Sequence, residues 1–198
     1  MFIKDSVFKR MVKSAWKSCD LVVTHYAGYY TVEFGGCVMQ VMDKCMSNRI
    51  KAIIVELIGD LPDDGEGYCY GNQMEPQSHL DIYDNLFEEF YENEDGRCVG
   101  TCIMIRHCND VHIVMQTKTL DKFMVNKMFA ELVDDRQIDE SIGECVPGLP
   151  VRCGLHMEWG NNVMVLKVPV TKAQYEIDDK VLSISGDISF NPKGLLED

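Results

Sequence analysis

The chain has 198 residues and a formal net charge of −13, and its carboxylates are concentrated in one segment. Residues 59–96 contain twelve Asp and Glu side chains and no Lys or Arg, whereas residues 1–58 carry eight basic and five acidic side chains. A negative field of this size repels nucleic acid and anionic membranes and accelerates encounter with basic surfaces. With 46% hydrophobic residues the chain can bury a core, and its length fits one domain or two small ones.

The sequence shows no targeting or membrane-spanning pattern. Residues 1–16 carry charges throughout, and no segment approaches the roughly 20 apolar residues that a membrane helix needs. The nine cysteines are odd in number and irregularly spaced, and they include no Cys-x-x-Cys pair. This usage fits a reducing compartment better than a disulfide framework, so we expect a soluble, cytoplasmic protein.

Residues 1–62 predict an amino-terminal α-β-β-β-α domain. Apolar side chains between residues 7 and 16 recur at helical spacing and leave a basic face on the first helix, consisting of Lys9, Arg10, Lys13 and Lys17. Three alternating or β-branched runs then predict strands at residues 21–24, 29–34 and 37–42. Gly35-Gly36 predicts a two-residue hairpin turn between the last two strands, because both glycines can take a positive φ. Ser47 or Asn48 begins a second helix, which Gly59 ends.

Residues 63–78 are rich in glycine, proline, asparagine and acid, and we interpret them as an acidic linker or loop. Residues 79–198 predict a carboxy-terminal domain with a mostly antiparallel sheet and one or two helices. Its predicted elements are a helix at 80–92, strands at 98–107 and 111–116, a helix at 120–133, and strands at 151–159, 163–170, 181–185 and 187–190. The sequence therefore predicts an α+β fold built from two small units.

Metal chemistry is the first candidate, because thiols and imidazoles suit zinc and five of them fall close together. They are Cys98, Cys102, His107, Cys108 and His112. Structural zinc sites present paired ligands two to four residues apart on a turn. Cys98 and Cys102 instead fall on one predicted strand, about 13 Å apart. Free cysteines are also among the most frequently buried residues, so we expect no metal and no cofactor.

The catalytic motifs we tested are incomplete. His156-Met157-Glu158 matches the start of the zinc deaminase signature, but the required Pro-Cys-x-x-Cys is absent. Cys153 precedes His156 by three residues, and alternation along one strand places the two side chains on opposite faces. The glycines at 65 and 67 lie in an acidic stretch that repels phosphate. We therefore expect a protein that is not an enzyme, with a small hydrolase as a weaker alternative.

Three segments of the first unit carry a resemblance to a known group of proteins. They are Met1-Phe2-Ile3-Lys4-Asp5-Ser6-x-Phe8-Lys9, the Tyr29-Tyr30 strand that ends in Gly35-Gly36, and Lys51-Ala52-Ile53-Ile54-x-Glu56-Leu57-Ile58-Gly59-Asp60-Leu61-Pro62. Through them the amino-terminal third resembles small proteins encoded by phages and prophages of gut Firmicutes, most of them of unknown function. The resemblance includes no catalytic motif, and it implies a mobile-element origin inside a bacterial host cell.

The first functional hypothesis is a non-enzymatic inhibitor of the anti-CRISPR type. Its acidic surface would occupy the cationic channel of a basic nucleic-acid-binding protein, such as a CRISPR effector nuclease. The predicted partner-binding residues are Asp81, Tyr83, Asp84, Glu88, Glu89, Tyr91, Glu92, Glu94 and Asp95. In this hypothesis the protein binds neither a membrane nor nucleic acid directly. The same acidic stripe is also typical of a surface that only keeps a protein soluble.

The alternative hypothesis assigns the partner-binding role to the other end of the chain. A phage accessory protein of DNA metabolism would contact nucleic acid through the basic face of the first helix, and the acidic segment would orient the molecule away from the nucleic acid. Salt-sensitive binding to labelled DNA separates this hypothesis from the inhibitor hypothesis.

Overall fold

The computed structural model describes residues 2–79, 86–92, 96–107, 109–133 and 150–171. The helices are α1 (Asp5–Lys17), α2 (Asn48–Ile58), α3 (Leu86–Glu92) and α4 (Lys127–Leu132). The strands are β1 (Leu21–Tyr26), β2 (Tyr29–Phe34), β3 (Cys37–Met42), β4 (Glu66–Gly71), β5 (Met74–Ser78), β6 (Cys98–His107), β7 (Asp110–Thr117), β8 (Lys122–Asn126), β9 (Val151–Cys153), β10 (His156–Gly160) and β11 (Met164–Pro169). The predicted α+β class is confirmed. Within these ranges no helix is both long and apolar enough to cross a membrane.

The strands form two antiparallel sheets. Eight strands make a continuous sheet in the order β5-β4-β1-β2-β3-β11-β10-β9, and the other three make the sheet β6-β7-β8. Strand β3 pairs with β11, so that Val41 lies opposite Met164 and Met39 lies opposite Leu166. Strands from the predicted second domain therefore complete the sheet that the first domain begins, and the division at residue 62 does not divide the sheet.

The predicted α-β-β-β-α order of the first 62 residues is confirmed, and local signals explain most of it. Gly35 and Gly36 have φ angles of 59° and 81°, as a tight hairpin between β2 and β3 requires. The Ser47 hydroxyl accepts a hydrogen bond from the backbone N–H of Ile50 at 3.4 Å and caps α2. Gly59 ends α2 with a φ of 89°.

The main hydrophobic core lies on one face of the eight-stranded sheet. Helix α1 packs against α2, α4 and the strands β1, β2 and β4. Apolar residues from both predicted domains share this core, among them Phe8, Val32, Ile54, Phe123 and Leu166. The three-stranded sheet joins the large sheet through isolated bridges, in which Arg97 pairs with Val151 and Met124 pairs with Thr171. One core therefore stabilises both predicted domains.

The interpretation of residues 63–78 as a linker or loop is wrong for most of the segment. Residues 66–71 pair with β1, and β5 then forms the edge of the sheet. Gly67, one of the glycines that suggested a linker, is needed for close packing. A Cβ atom on Gly67 would overlap the His79 carbonyl oxygen and the Thr24 side chain, so the position has no space for a larger residue.

Two further element assignments need correction. Within the predicted helix 120–133, the segment Lys122–Asn126 is strand β8, and only Lys127–Leu132 is helical. Phe123, Met124 and Val125 are all buried, because both faces of β8 are covered. The predicted strand 151–159 is two strands, which turn at Gly154 with a φ of 57°. The predicted strands at 181–190 lie outside the described residues.

The carboxyl end of α1 places a non-glycine residue in a left-handed conformation. The Asp20 N–H donates to the Ala15 carbonyl at 2.9 Å and the Cys19 N–H donates to the Trp16 carbonyl at 3.3 Å, a Schellman arrangement. Cys19 sits at the position where glycine is preferred, with a φ of 58°. The side chain at this exposed position is therefore held at a conformational cost.

We expect Cys19→Gly to increase the free energy of unfolding by about 1 kcal/mol relative to Cys19→Ala, because only glycine takes this φ without strain. Urea denaturation of the two variants measures the difference. Equal stabilities for the two variants would contradict the strained helix end.

Candidate interaction surfaces

Helix α3 packs on the face of the large sheet that is opposite α1 and α2. Leu86, Phe87 and Phe90 are buried, and they form a second apolar cluster with residues of β9 and β11 such as Val151 and Val165. The helix contacts β9, β10 and β11. These three residues fall on one side of the helix, as the amphipathic pattern predicts. The apolar side of α3 therefore fixes the helix to the sheet.

Two contacts locate α3 more closely. The backbone N–H of Leu86 donates to the buried Gln40 side-chain oxygen at 3.0 Å, so a strand residue satisfies a donor in the first turn of the helix. At the other end, the Phe90 ring lies over Gly160. A Cβ atom at this glycine would come within 2.8 Å of the ring. The sheet thus contacts α3 through a hydrogen bond at one end of the helix and through apolar packing at the other.

The structure describes only part of the predicted partner-binding set. The Glu88 side chain is exposed on α3, in agreement with its predicted position facing solvent. Glu89, Tyr91 and Glu92 belong to α3, but their side chains lie outside the described part of the structure. The other predicted residues lie outside the described residues altogether, namely Asp81, Tyr83, Asp84, Glu94 and Asp95.

The remaining carboxylates of the acidic segment lie elsewhere. The group Asp60, Asp63, Asp64 and Glu66 occupies the loop after α2 and the start of β4, where all four are exposed. Strand β4 is four strand positions from β11, or about 19 Å at the usual strand spacing. The acidic segment is thus divided between two regions of the surface, and the described carboxylates do not form one continuous stripe.

A cluster of polar side chains lies near the acidic loop that follows α2. The His25 ring stacks on Tyr30 with centroids 4.1 Å apart, and its Nε2 atom is 3.8 Å from Asp43. Asp43 also pairs with Lys51 at 3.5 Å. Burial raises the pKa of Tyr30, and Asp43 with the nearby carboxylates raises it further. These contacts connect α2 and the turn before it to the end of the sheet.

Of the five residues considered for a metal site, the side chains of Cys98 and His112 are described. Those of Cys102, His107 and Cys108 lie outside the described part of the structure. Cys98 is buried, and its thiol lies 3.3 Å from the Pro150 carbonyl oxygen. Burial raises the pKa of the Cys98 thiol, which disfavours the thiolate that zinc requires. His112 is buried on β7. Among the described residues, no group of three or more His, Cys, Asp or Glu side chains is arranged to hold a metal.

The prediction that Cys153 and His156 lie on opposite faces of one strand is wrong. The two residues face each other across the β9–β10 hairpin and therefore share a face of the sheet. The Cys153 thiol is 3.6 Å from a carboxylate oxygen of Glu158, which is completely buried, and Lys167 pairs with that carboxylate at 3.3 Å. The sequence feature that could have indicated this buried carboxylate is the position of Glu158 between the apolar residues Met157 and Trp159.

This buried Glu158–Lys167 pair was missed by sequence reasoning, since the two residues meet only through the pairing of β10 with β11. A buried pair costs desolvation free energy that its attraction only partly offsets. The Glu158–Lys167 pair lies on the same face of the sheet as α3, next to the apolar cluster that α3 forms with β9 and β11.

The basic face of α1 is partly neutralised inside the molecule. Lys9 pairs with Glu56 of α2 at 2.6 Å. The hydrogen bond and charge of Lys9 lower the pKa of Glu56, and Lys13 adds a smaller effect. Arg10, Lys13 and Lys17 are exposed. Since α1 and α3 cover opposite faces of the large sheet, the basic and acidic helices point in different directions.

No protein-family model matches the chain, and no curated protein matches it. The chain has weak similarity to solved sliding-clamp structures. The DNA polymerase III β subunit of Thermotoga maritima is 10% identical, with a TM-score of 0.38 and coverage of 91% of this chain and 66% of that chain. A putative DNA polymerase III β subunit from Eubacterium rectale is 8% identical, with a TM-score of 0.38 and coverage of 92% and 67%. This chain spans about two thirds of their length, and such low TM-scores support neither a shared fold nor a shared activity.

We expect Gly160→Ala to lower the free energy of unfolding by about 1–3 kcal/mol, because the new methyl group overlaps the Phe90 ring. In a Phe90→Leu background the same substitution should cost less, and a double-mutant cycle by urea denaturation measures this coupling. Equal costs in the two backgrounds would contradict the docking of α3 on Gly160.

We expect Lys9→Ala to raise the pKa of Glu56, because the hydrogen bond from Lys9 is the main cause of its lowered value. A lowered pKa in the folded state stabilises the fold above the unfolded-state pKa, and this contribution disappears as the pH falls through the folded-state pKa. The stability difference between Lys9→Ala and the original protein should therefore vanish in acid. NMR titration of the Glu56 carboxyl group is the measurement, with Lys17→Ala as the control. An unchanged titration in Lys9→Ala would contradict the pairing.

Proposed function

We propose that the protein is a non-enzymatic inhibitor whose acidic surface, centred on α3, binds a basic nucleic-acid-binding protein. The observation that carries the proposal is the orientation of α3. Its apolar side is buried against the sheet by Leu86, Phe87 and Phe90, while Glu88 is exposed on the face of the molecule opposite the basic helix. A rigidly held helix presents its carboxylates to a partner without a large ordering cost.

The electrostatics of the rest of the surface support an encounter with a basic partner. Asp60, Asp63, Asp64, Glu66 and Glu75 are exposed, and within the described ranges none of them pairs with a lysine or arginine. Unneutralised carboxylates add to the negative field of the whole chain and steer cationic surfaces towards it. The second acidic region would therefore raise the rate of association, while α3 would provide the specific contacts.

A CRISPR effector nuclease is the kind of partner that this chemistry suits. Such nucleases hold guide and target strands in positively charged channels, and they recognise the nucleic-acid backbone. The carboxylates of α3 would compete for the same lysine and arginine side chains. The inhibitor would thus act by occupying the channel, and no bond-breaking chemistry would be needed.

The nucleic-acid hypothesis has one observation in its favour. Arg10 and Lys17 are exposed on α1 and have no carboxylate partner among the described residues. Against it, Lys9 is already paired with Glu56, and the net charge of −13 repels a polyanion. This alternative stays a prediction, and the binding experiment below includes it.

The test uses a guide-loaded Cas9-type nuclease as the probe and measures association by surface plasmon resonance at two salt concentrations. We expect saturable binding that competes with target DNA. Glu88→Lys combined with Glu89→Lys and Glu92→Lys should lower the association rate by about tenfold or more.

A matched control changes the charge by the same amount at a distance from α3, through Asp60→Lys, Asp63→Lys and Asp64→Lys. We expect a much smaller loss with this control than with the α3 variant. Equal losses would show that net charge alone governs the encounter, and unchanged binding of the α3 variant would reject the proposed surface. Tight, salt-sensitive binding to labelled DNA, abolished by glutamate at Lys9, Arg10, Lys13 and Lys17, would favour the alternative.

A further inference from the structure

Cys19 combines exposure with a strained backbone. It occupies the left-handed position at the end of α1, where glycine is preferred. A strained non-glycine conformation that persists at a surface position points to a role for its side chain. The thiol is therefore the part of Cys19 that needs an explanation.

A second thiol lies beside it. Strand β4 runs next to the chain after α1, with Val22 opposite Cys69 and Leu21 opposite Tyr70. A Cβ atom on Gly71 would overlap the Cys19 Sγ atom, so the Cys19 thiol lies directly over Gly71. Cys69 precedes Gly71 by two residues and projects from the same face of β4. The Cys69 Sγ atom is 3.7 Å from the Cys19 carbonyl oxygen.

We propose that Cys19 and Cys69 are a redox-responsive thiol pair that closes to an intramolecular disulfide when a hydroperoxide oxidises the protein. The proposal is independent of the inhibitor function. It requires the two Sγ atoms to approach one another beside Gly71, whose missing side chain leaves room for the Cys19 thiol.

The reaction balances in two steps. The Cys19 thiolate attacks the terminal oxygen of the hydroperoxide, so that an S–O bond forms and the O–O bond breaks. The Cys19 sulfenic acid forms, and the leaving oxygen takes up the proton lost by the Cys19 thiol to give water or an alcohol. The Cys69 sulfur then attacks the Cys19 sulfur, the S–S bond forms, the S–O bond breaks, and the hydroxyl leaves as water with the proton from Cys69. The peroxide gains the two electrons that the two thiols lose.

The two thiols differ in exposure, and this difference assigns the reaction with peroxide to Cys19 and the resolving role to Cys69. Cys19 is exposed and accessible to the oxidant, whereas Cys69 is partly buried. Burial raises the pKa of Cys69, with further contributions from Asp20, Cys19 and Glu33. Cys69 therefore stays protonated at neutral pH and reacts through its proximity to the oxidised Cys19, as a resolving thiol does.

The experiment treats the reduced full-length protein with hydrogen peroxide and maps its peptides without reduction by mass spectrometry. We expect a loss of two hydrogen atoms, a linked pair of peptides containing Cys19 and Cys69, and reversal by dithiothreitol. The oxidised protein should also show a midpoint of thermal unfolding several degrees higher, because the link restricts the unfolded chain.

Two variants separate the roles. In Cys69→Ser the link should be absent, and Cys19 should be trapped as a sulfenic acid by dimedone. Cys45→Ser removes another exposed cysteine and should leave the link unchanged. The proposal is overturned if peroxide gives only sulfinic or sulfonic acid at Cys19, or links Cys19 to a different cysteine. The peptide map of the original protein decides between these outcomes even if Cys69→Ser does not fold.

Discussion

The pairing of β3 with β11 is the contact on which the arrangement of this molecule depends. Its register places Met39 and Leu166 in the main core, and it places Gln40 and Val165 on the opposite face. A slip of β11 by one residue against β3 would move Leu166 out of the core and bring Lys167 into it opposite Met39. The cost of burying the Lys167 ammonium group in the core stabilises the observed register, and this register positions β10 and β9 at the end of the sheet.

The face that this pairing creates has an unusual mixture of groups. Gln40 binds the first turn of α3, and Lys167 reaches the buried Glu158 carboxylate. Beside them, Val165 and Gly160 form the apolar seat of Leu86 and Phe90. Polar and apolar contacts thus both fix α3 to the sheet. Buried polar groups restrict where the helix can lie, because each of them must keep its hydrogen-bond partner.

The separation of charge between the two faces follows from the same arrangement. The core face takes the amphipathic helices α1 and α2. The basic side chains of α1 are exposed, and Lys9 is paired with Glu56. The opposite face takes α3 with its exposed carboxylate Glu88. A charge imbalance along the chain becomes a functional surface only when the fold gives its members a common direction. For this reason the inhibitor proposal depends on the position of α3 more than on the total charge.

The acidic loop after α2 shows that carboxylates close together in sequence can be separated by the fold. It belongs to the same sequence segment as α3, yet it lies beside His25 and the start of β4. The alignment of carboxylates along the chain suggested one surface, and the sheet order divides them. The thiols of Cys19 and Cys69 illustrate the converse, because residues that are distant in sequence become neighbours through β1 and β4.

Local patterns were enough to predict much of the fold. Helices α1 and α2, the three strands between them and the glycine turn at Gly35 were predictable, because periodicity and turn chemistry act over a few residues. The predictions that failed concern Gly67, Phe123 and Gly154. Gly67 resembled a linker residue but is required by contact with Thr24, and Phe123 resembled a helix residue but lies in a strand covered on both faces.

The sequence by itself therefore determined the helices and strands of the first 62 residues, the α+β class and the distribution of charge along the chain. Only the tertiary structure decided that β11 completes the first sheet, that α3 lies opposite α1, and that Cys153 faces His156. These features depend on contacts between segments far apart in sequence. Such contacts gain their free energy from burial and register across the whole sheet, which no local pattern of residues contains.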